Sequence, residues 1–412
     1  VKIWIFNHYA IGPGSSGGTR HYDLAKQLAA KGHKVKIFAS SFNHQALKEE
    51  HLADSNRLYV TKNYDGMDFI WIKTPPYERN DIRRVRNMIA YSTRAYRIAA
   101  KMDEKPDIVV GSLVHPLAAY VGYLVSKKRK AIFYFEERDL WPQTLIDLGK
   151  VTKRNPVIYG LASIEKFLYR KSKRVIVLFD KAVGYVTNKG IEKDKVLYLP
   201  NGIDLSRMDR AQELPERVQN ILSINKNKIV AVYTGSHGKA NNLDVILDAA
   251  GILKAAKAPV HFLLVGNGPE KKRLMKRQQE EGLSNVNFED PLPKECIPAL
   301  LGKCSIGLLP LKDSPVFKWG ISPNKLFDYM GASLPVALLC DLEGTPVEKA
   351  EGGYVIRNNF ADGLASVLNN ASKDELRQMG MKARGYVEKE HNWSSLSEKL
   401  EKIMLQDLKG LR

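Results

Sequence analysis

The run Ser322-Pro323-Asn324-Lys325-Leu326-Phe327-Asp328-Tyr329-Met330 places three kinds of chemistry within seven residues. Pro323 suits the first position of a helix, where its missing N–H costs nothing, and Ser322 suits the cap before it. The free backbone N–H groups at such a start attract anions, phosphates above all. Lys325 adds a mobile cation beside them. Asp328, about one turn on, can accept hydrogen bonds from a diol. A phosphate pocket, a cation and a hydroxyl acceptor together describe a nucleotide-sugar site, although an ordinary capped helix in an α/β domain fits the same segment equally well.

Further candidates follow predicted strands. After Lys2–Phe6 comes Gly12-Pro13-Gly14-Ser15-Ser16-Gly17-Gly18 and then a helical pattern from Thr19 to Lys31. Strand, glycine-rich loop and helix let a backbone approach a phosphate or sugar closely, with Gly17 and Gly18 nearest the helix. The loop is not GxGxxG and no acid closes the next strand, so dinucleotide binding is weakly supported, and a turn without a ligand is an equal alternative. His115, in Ser112-Leu113-Val114-His115-Pro116, lies just past strand Ile108–Val110, at the edge where open α/β sheets bind ligands. Glu136-Glu137-Arg138-Asp139-Leu140-Trp141-Pro142 reads either as a polar site with a tryptophan wall for a sugar or as a structural ion pair. Gly235-Ser236-His237-Gly238-Lys239 could form a second backbone anion nest around Gly238. Protease HExxH, hydrolase GxSxG and P-loop patterns are missing, as is any metal-spaced cluster.

The elements that must position these residues alternate. Strands are expected near Lys34–Ala39, Phe69–Ile72, Ala131–Phe135, Arg174–Leu178 and Val196–Leu199. The second half repeats the pattern, with strands at Ile229–Thr234, Val260–Val265, Val286–Phe288, Ser305–Leu309, Leu334–Leu339 and Tyr354–Ile356 and helices between them. At 412 residues, 44% apolar and 26% charged, the chain fits a globular α/β protein of two domains. The turn Pro200-Asn201-Gly202-Ile203-Asp204 marks the switch. We expect domain 1–200, domain 201–390 and a closing helix in 391–412. Two doubly wound parallel-sheet domains predict a ligand cleft between them. Three cysteines (Cys296, Cys304, Cys340) make neither a disulfide framework nor a CxxC site. The apolar start Val1–Phe6 reads as a first strand, without the h-region of a signal peptide.

Charge is lopsided. Residues 1–200 carry 35 Lys and Arg against 19 Asp and Glu, and residues 201–412 carry 29 against 26. The first half should therefore be drawn to an anionic surface. At about 100° per residue, Arg79, Arg83, Arg86, Arg94, Arg97 and Lys101 share one face of a helix over Asp81–Met102. Val85, Met88, Ile89, Ala95, Tyr96 and Ala99 lie opposite. A basic amphipathic helix reads as a membrane-surface element, its apolar face packed inward. Basic runs recur at Lys127-Lys128-Arg129-Lys130 and in Lys150–Arg174. Without aromatic interleaving, membrane is favoured over nucleic acid.

The ordered landmarks Gly17-Gly18-Thr19-Arg20-His21, Gly32-His33-Lys34-Val35, Arg138-Asp139-Leu140-Trp141-Pro142, Pro200-Asn201-Gly202-Ile203-Asp204, Val265-Gly266-Asn267-Gly268-Pro269 and Ser322–Met330 carry a further reading. Together they resemble the retaining GT-B glycosyltransferases of family 4, in particular the WbuB-type amino-sugar transferases of bacterial surface polysaccharides. The resemblance implies a GT-B fold whose last helix crosses back to the first domain. It implies a nucleoside diphosphate sugar as donor, UDP expected, without a resident metal or other cofactor. The acceptor would be a lipid-linked or other membrane-associated glycan, and the protein would sit peripherally on the cytoplasmic face of the inner membrane. By the same resemblance Lys325 and the helix start hold the diphosphate, with Gly17 and Gly18 approaching from the first domain. Asp328 takes the donor ribose, His115 lies near the transferring sugar, and Phe288 to Leu292 hold the nucleobase. Asp139 is a candidate to orient or deprotonate the acceptor hydroxyl. Two departures stand out. Gly320 replaces the first acid of the family's E-x7-E signature, leaving its sugar contact to Ser322 or Asn324, and Ser236 and Asn242 replace a widespread Arg and Lys. A GT-B epimerase or phosphorylase, or an inactive nucleotide-sugar-binding scaffold, is the alternative.

Overall fold

The computed structural model describes residues 1–13, 18–53, 55–79, 81–147, 149, 151–152, 154–210, 212–312 and 315–410. The chain forms two compact units. The first comprises Val1–Pro200, Lys318–Gly320 and the segment from Trp393 onward; the second comprises Asn201–Phe317 and Ile321–Asn392.

The first unit is built on β1 (Lys2–Phe6), β2 (Lys34–Ser40), a two-residue ladder β3 (Phe42–Asn43) with β4 (Lys48–Glu49), β5 (Tyr59–Tyr64), β6 (Met67–Ile72), β7 (Ile108–Leu113), β8 (Ile132–Glu137), β9 (Arg174–Val177) and β10 (Val196–Tyr198). Its main sheet runs β10-β9-β8-β7-β1-β2-β6-β5, all parallel except the β5–β6 pair. Strand order reverses between β1 and β7, which pair in register Ile3↔Ile108 to Phe6↔Gly111. The inner strands read as apolar runs because both faces are covered. Ile3 and Ile5 pack with Leu24, Leu28 and Trp393 on one face. Trp4 and Phe6 pack with Tyr91, Ala95 and Val121 on the other. The helix Trp393–Lys409 thus completes the core of this unit. It is pinned by Asp407, whose carboxylate accepts from Tyr134 Oη at 2.6 Å and from Arg174 Nε and Nη2 at 2.8 and 2.6 Å.

The second unit carries β11 (Ile229–Thr234), β12 (Val260–Val265), β13 (Val286–Glu289), β14 (Ile306–Pro310), β15 (Val336–Leu339) and β16 (Gly353–Ile356). They form one parallel sheet in the order β13-β12-β11-β14-β15-β16. This is the doubly wound 3-2-1-4-5-6 order, with its switch point between β11 and β14. The helix Asn324–Gly331 follows β14 and buries Leu326, Phe327, Tyr329 and Met330. Tyr329 Oη accepts from the Thr234 amide at 2.8 Å, tying that helix to the carboxyl end of β11.

Three expectations are corrected. The helix over Ile82–Lys101 turns a different face inward. Asn87, Tyr91, Ser92, Ala95 and Ala99 are buried, whereas Val85 and Ile89 are exposed. Polar anchors set the rotation: Asn87 Nδ2 donates to Thr74 Oγ1 at 2.8 Å and to the Pro75 carbonyl at 2.7 Å, and Tyr91 Oη donates to the Phe38 carbonyl at 2.7 Å. Arg94 does not point outward; it is half-buried and its guanidinium donates to the Lys73 carbonyl. Finally, Pro323 is the cap and Asn324 the first helical residue, one place later than read, because the Ser322 hydroxyl is taken by the Asn201 amide at 3.0 Å.

Truncating Trp393 to Ala should destabilise the first unit by about 3–5 kcal/mol, since a fully packed aromatic is lost and a cavity is left. Denaturant-dependent amide exchange in β1 and β2 reads this directly. Unchanged protection there would mean that the last helix is not part of this core.

Candidate functional site

In each unit the carboxyl ends of the strands beside the switch point gather polar groups. In the second unit these are the loop after β11, the loops after β12 and β13, and the start of the Asn324–Gly331 helix. No side chain caps that helix, so its first amides remain available to an anion. Lys325 sits within the same turn. Its Nζ donates to Tyr233 Oη at 2.8 Å, lies 3.4 Å from Asn241 Oδ1, and stands 4.3 Å from the centroid of the Tyr233 ring. Tyr233 Oη in turn donates to the Ser236 carbonyl at 2.8 Å, which also accepts from Asn241 Nδ2 at 2.8 Å. The lysine is therefore aimed by the loop that follows β11. Burial lowers its ammonium to about 8, with Asp328 opposing that shift. A side chain at Gly235 would be strained, since its φ is +138°, and its Cβ, 2.9 Å from Lys325 Nζ, would displace the ammonium.

The neighbouring loops are locked to this one. The His237 amide donates to the Asn267 carbonyl at 2.9 Å, and the Glu270 amide to the His237 carbonyl at 3.0 Å. Lys271 Nζ donates to the carbonyls of Gly266 and Glu289 at 2.9 and 2.8 Å and to Asp290 Oδ1 at 2.7 Å. Lys271 and Tyr233 were not anticipated. A lysine two residues after Gly-Pro carries no motif, and its structural role appears only when the β12 and β13 loops are seen together.

The predicted donor residues fall into groups. Lys325, Asn324 and Asp328 share the helix start and its first turns. Gly238 precedes the short turn Lys239–Asn241 of the β11 loop. Phe288 is buried in β13, with its ring 5.8 Å from His237. Leu292 packs against the core. Ser322 is buried, and its hydroxyl and carbonyl are engaged by Asn201. Gly17 lies outside the described residues. Gly320 is explained by its backbone: its φ is +107°, and a Cβ there would come within 3.1 Å of Asp180 Oδ1 and 3.2 Å of Phe179 Cβ. A side chain at that position would be strained and crowded.

In the first unit a cavity of about 310 Å³ opens beside the carboxyl ends of β1 and β2, with Tyr9, His44, His51, Trp71, Asp139 and Trp141 in its wall. Gly18 and Arg138 also line it. Tyr9 stacks on His44 with ring centroids 4.4 Å apart, and His51 on Trp71 at 3.8 Å. The Asp139 carboxyl is pushed up by burial, against the pull of Arg138. His115 lies directly behind the wall, against His8 and Tyr9. It is buried at the start of the helix Pro116–Arg129, where its Nδ1 accepts from the Ala118 amide at 3.3 Å. Its Nε2 therefore carries the proton and donates to His8 Nδ1 at 2.7 Å. Burial lowers His115 to about 3, and both rings stay neutral. His8, not His115, reaches the cavity wall. Of the Glu136–Trp141 cluster, Arg138, Asp139 and Trp141 face the cavity, while Glu136 and Glu137 are buried in ion-pair and hydrogen-bond networks.

Residues 17–207 match the family model for Glycosyltransferase Family 4, and residues 228–374 the model for Glycosyl transferases group 1. The chain belongs to glycosyltransferase family 4. WcaI of Escherichia coli (strain K12), a colanic acid biosynthesis glycosyl transferase by its assigned name, is 22% identical over 293 residues, 69% of this chain and 70% of WcaI. Among solved structures, sucrose-phosphate synthase from Thermosynechococcus elongatus shares the fold with a TM-score of 0.74 at 16% identity, covering 99% of each chain. Anabaena HepE, solved with UDP-glucose, has a TM-score of 0.65 at 14% identity over 98% of this chain and 99% of HepE. The fold of this family 4 chain is GT-B, two Rossmann-like α/β domains.

Tyr233→Phe should weaken binding of a nucleoside diphosphate several-fold, because the hydroxyl that orients the Lys325 ammonium and the Ser236 carbonyl is lost at a cost of about 1 kcal/mol. Calorimetric titration with UDP checks it; wild-type affinity in the variant would remove Tyr233 from the site.

Proposed function

We propose that this glycosyltransferase moves a hexose or N-acetylhexosamine from a UDP-sugar to a membrane-associated, lipid-linked glycan acceptor during assembly of a bacterial surface polysaccharide. The observation that carries the reading is Lys325, a desolvated ammonium set into an uncapped helix start. The name of WcaI and the UDP-glucose complex of HepE support the pathway and the donor class.

In the reaction the bond between the anomeric carbon and the β-phosphate oxygen breaks, and UDP leaves with the electron pair. The barrier is lowered by stabilising charge on that leaving group. Lys325 and the amides of Asn324 and Lys325 supply this without a resident metal. Asp328 accepts the ribose hydroxyls. The acceptor hydroxyl attacks from the face that UDP vacates, so configuration is retained, and its proton passes to a departing phosphate oxygen. Asp139, at the wall of the first-unit cavity, orients that hydroxyl. The stacked Tyr9–His44 and His51–Trp71 pairs offer flat apolar faces to a sugar ring. His115 acts as a positioning group that fixes His8.

Membrane attachment is part of the proposal. No helix among the described residues is long and apolar enough to span a bilayer. The Ile82–Lys101 helix instead exposes Ile82, Val85 and Ile89 at 77, 44 and 50%, beside exposed Arg83, Arg86 and Arg97. Apolar side chains within a basic stripe suit an anionic interface.

Lys325→Ala should lower kcat for sugar transfer by about 10²–10³. A purified variant with normal turnover would refute the assignment. UDP affinity of the wild type should also fall as pH rises through about 8, since the cation is present below that value and lost above it. Lys325→Arg, charged throughout, should flatten this dependence. UDP bound with no UDP released from any UDP-sugar would instead identify a binding scaffold.

Replacing Arg83, Arg86 and Arg97 together with Ser should weaken binding to anionic vesicles, most visibly at low ionic strength. Equal sedimentation of variant and wild type with such vesicles would exclude this helix as the contact.

A further inference from the structure

The first unit has a second apolar surface that neither the transferase chemistry nor the Ile82–Lys101 helix uses. The helices Pro116–Arg129 and Pro156–Lys171 pack side by side. They leave a groove of about 370 Å³ lined by Pro116, Leu117, Tyr120, Ser163, Ile164 and Phe167. One hydroxyl is the only side-chain polar group besides the Tyr120 phenol. The rings of Tyr120 and Tyr123 meet Phe167 at 6.0 and 5.0 Å. Near the groove Val157 and Tyr159 are each 63% exposed, and Leu117 and Tyr120 each 37%. Single exposed apolar residues are ordinary, but a contiguous set around a concave surface marks an interaction site.

Charge at one end identifies the occupant. Both helices finish in exposed cations, Lys127 and Lys128 on the first and Arg170 and Lys171 on the second. The first helix contains no acid. The single acid of the second, Glu165, is buried and satisfied by Lys189, Tyr169 and Tyr185. Among the described residues none of the four cations forms an ion pair. Cations at helix ends complement the backbone dipole, which by itself explains their sign. It does not explain why Lys171 Nζ stands 5.9 Å from the ring centroid of Phe167, which lines the apolar groove. From Leu117 to Lys127 the helix rises roughly 15 Å at about 1.5 Å per residue. An elongated ligand with an apolar tail and an anionic head matches that length and polarity. A second copy of the chain would bring the same cations against one another.

We propose that this groove seats a hydrocarbon chain of an anionic phospholipid from the bilayer, with the headgroup phosphate held by Lys127, Lys128, Arg170 and Lys171. The groove shares no residue with the donor pole and does not depend on the transferase reading.

The test places an environment-sensitive fluorophore in the groove by Ser163→Cys. The native thiols compete poorly, since Cys296 and Cys340 are buried and burial pushes the Cys304 thiol up to about 12. Phosphatidylglycerol vesicles should shift the emission to the blue, and lipids brominated along the acyl chain should quench it. Phosphatidylcholine vesicles should do neither. Changing Lys127, Lys128, Arg170 and Lys171 to Ser should reduce the affinity for phosphatidylglycerol vesicles at least about ten-fold. The same measurement with Arg83, Arg86 and Arg97 also changed to Ser separates this groove from the other helix, and UDP titration of every variant shows that the donor pole is intact. The proposal is overturned by an unaltered spectrum with phosphatidylglycerol, by equal shifts with both lipids, or by wild-type affinity in the four-cation variant. A blue shift that grows with protein concentration without lipid, together with dimers in sedimentation, would overturn it in favour of self-association.

Discussion

One buried carboxylate holds the first unit together at its functional edge. Glu136, at the end of β8, accepts from Arg20 Nε at 2.9 Å, His21 Nε2 at 2.6 Å and Ser112 Oγ at 2.6 Å. Burial works against its charge, but His21 and Arg20 hold the carboxyl well below its usual range. Arg20 spends its other nitrogens on the carbonyls of Pro200 and Leu199 at 2.6 and 2.8 Å, and its guanidinium stands 5.7 Å from the Trp393 ring centroid. His21 Nδ1 accepts from Asn7 Nδ2 at 2.7 Å, which fixes the tautomer that donates to Glu136. The end of β1, the first helix, β7, β8, the end of β10 and the last helix therefore converge on one ion pair. Such a pair is stable only when every partner is present, because removing one leaves a buried charge without compensation. It fixes the strand ends beside which the cavity opens.

The second unit solves the same problem with a cation, and the comparison of two lysines separates scaffold from site. Lys271 has three oxygen acceptors within 2.9 Å, as many as an ammonium can donate to, and it is mostly buried. Its hydrogen-bonding capacity is used up holding the loops after β12 and β13. Lys325 has one close acceptor at 2.8 Å and one distant at 3.4 Å. It is half-buried and retains donor capacity beside an uncapped helix. A half-buried cation with donors to spare gains from the arrival of an anion. That imbalance, more than the motif itself, sets Lys325 apart from Lys271.

The strands were legible because a sheet covered on both faces needs apolar runs. β1, β11 and β12 coincide with the runs read for them. The antiparallel edge β5, Tyr59–Tyr64, was missed because its polar, exposed sequence has no such pattern. The rotation of the Ile82–Lys101 helix was misread for a related reason. Periodicity sees apolar side chains, whereas here Asn87 and a tyrosine hydroxyl choose the inward face. The helix start at Lys325 could be found from Ser-Pro-Asn-Lys. The groove between the Pro116–Arg129 and Pro156–Lys171 helices could not, because neither helix shows an unusual pattern alone. A structural ion pair was one reading of the Glu136–Trp141 cluster, but that Glu136 and Glu137 meet different partners was hidden, since adjacent acids on a strand point to opposite faces.

The structure also resolves where the positive surplus of residues 1–200 resides. It is not in the cavity. There Arg84 and Arg138 are matched by Glu50 and Asp139. Burial lowers the three histidines of the wall, with His44 falling to about 4, so they remain uncharged near neutral pH. A cavity with balanced charge, neutral imidazoles and stacked aromatic faces suits a polyhydroxyl ring, whose recognition rests on hydrogen bonds and flat apolar contact. Exposed cations without an ion pair among the described residues include Arg83, Arg86 and Arg97, beside exposed Ile82, Val85 and Ile89, and Lys127, Lys128, Arg170 and Lys171 at the ends of two other helices. Net charge read from sequence merges these two environments, although only the outer one carries the field that acts on an anionic surface. The basic character of this half therefore belongs to its outer surface and says nothing about the chemistry of the cavity.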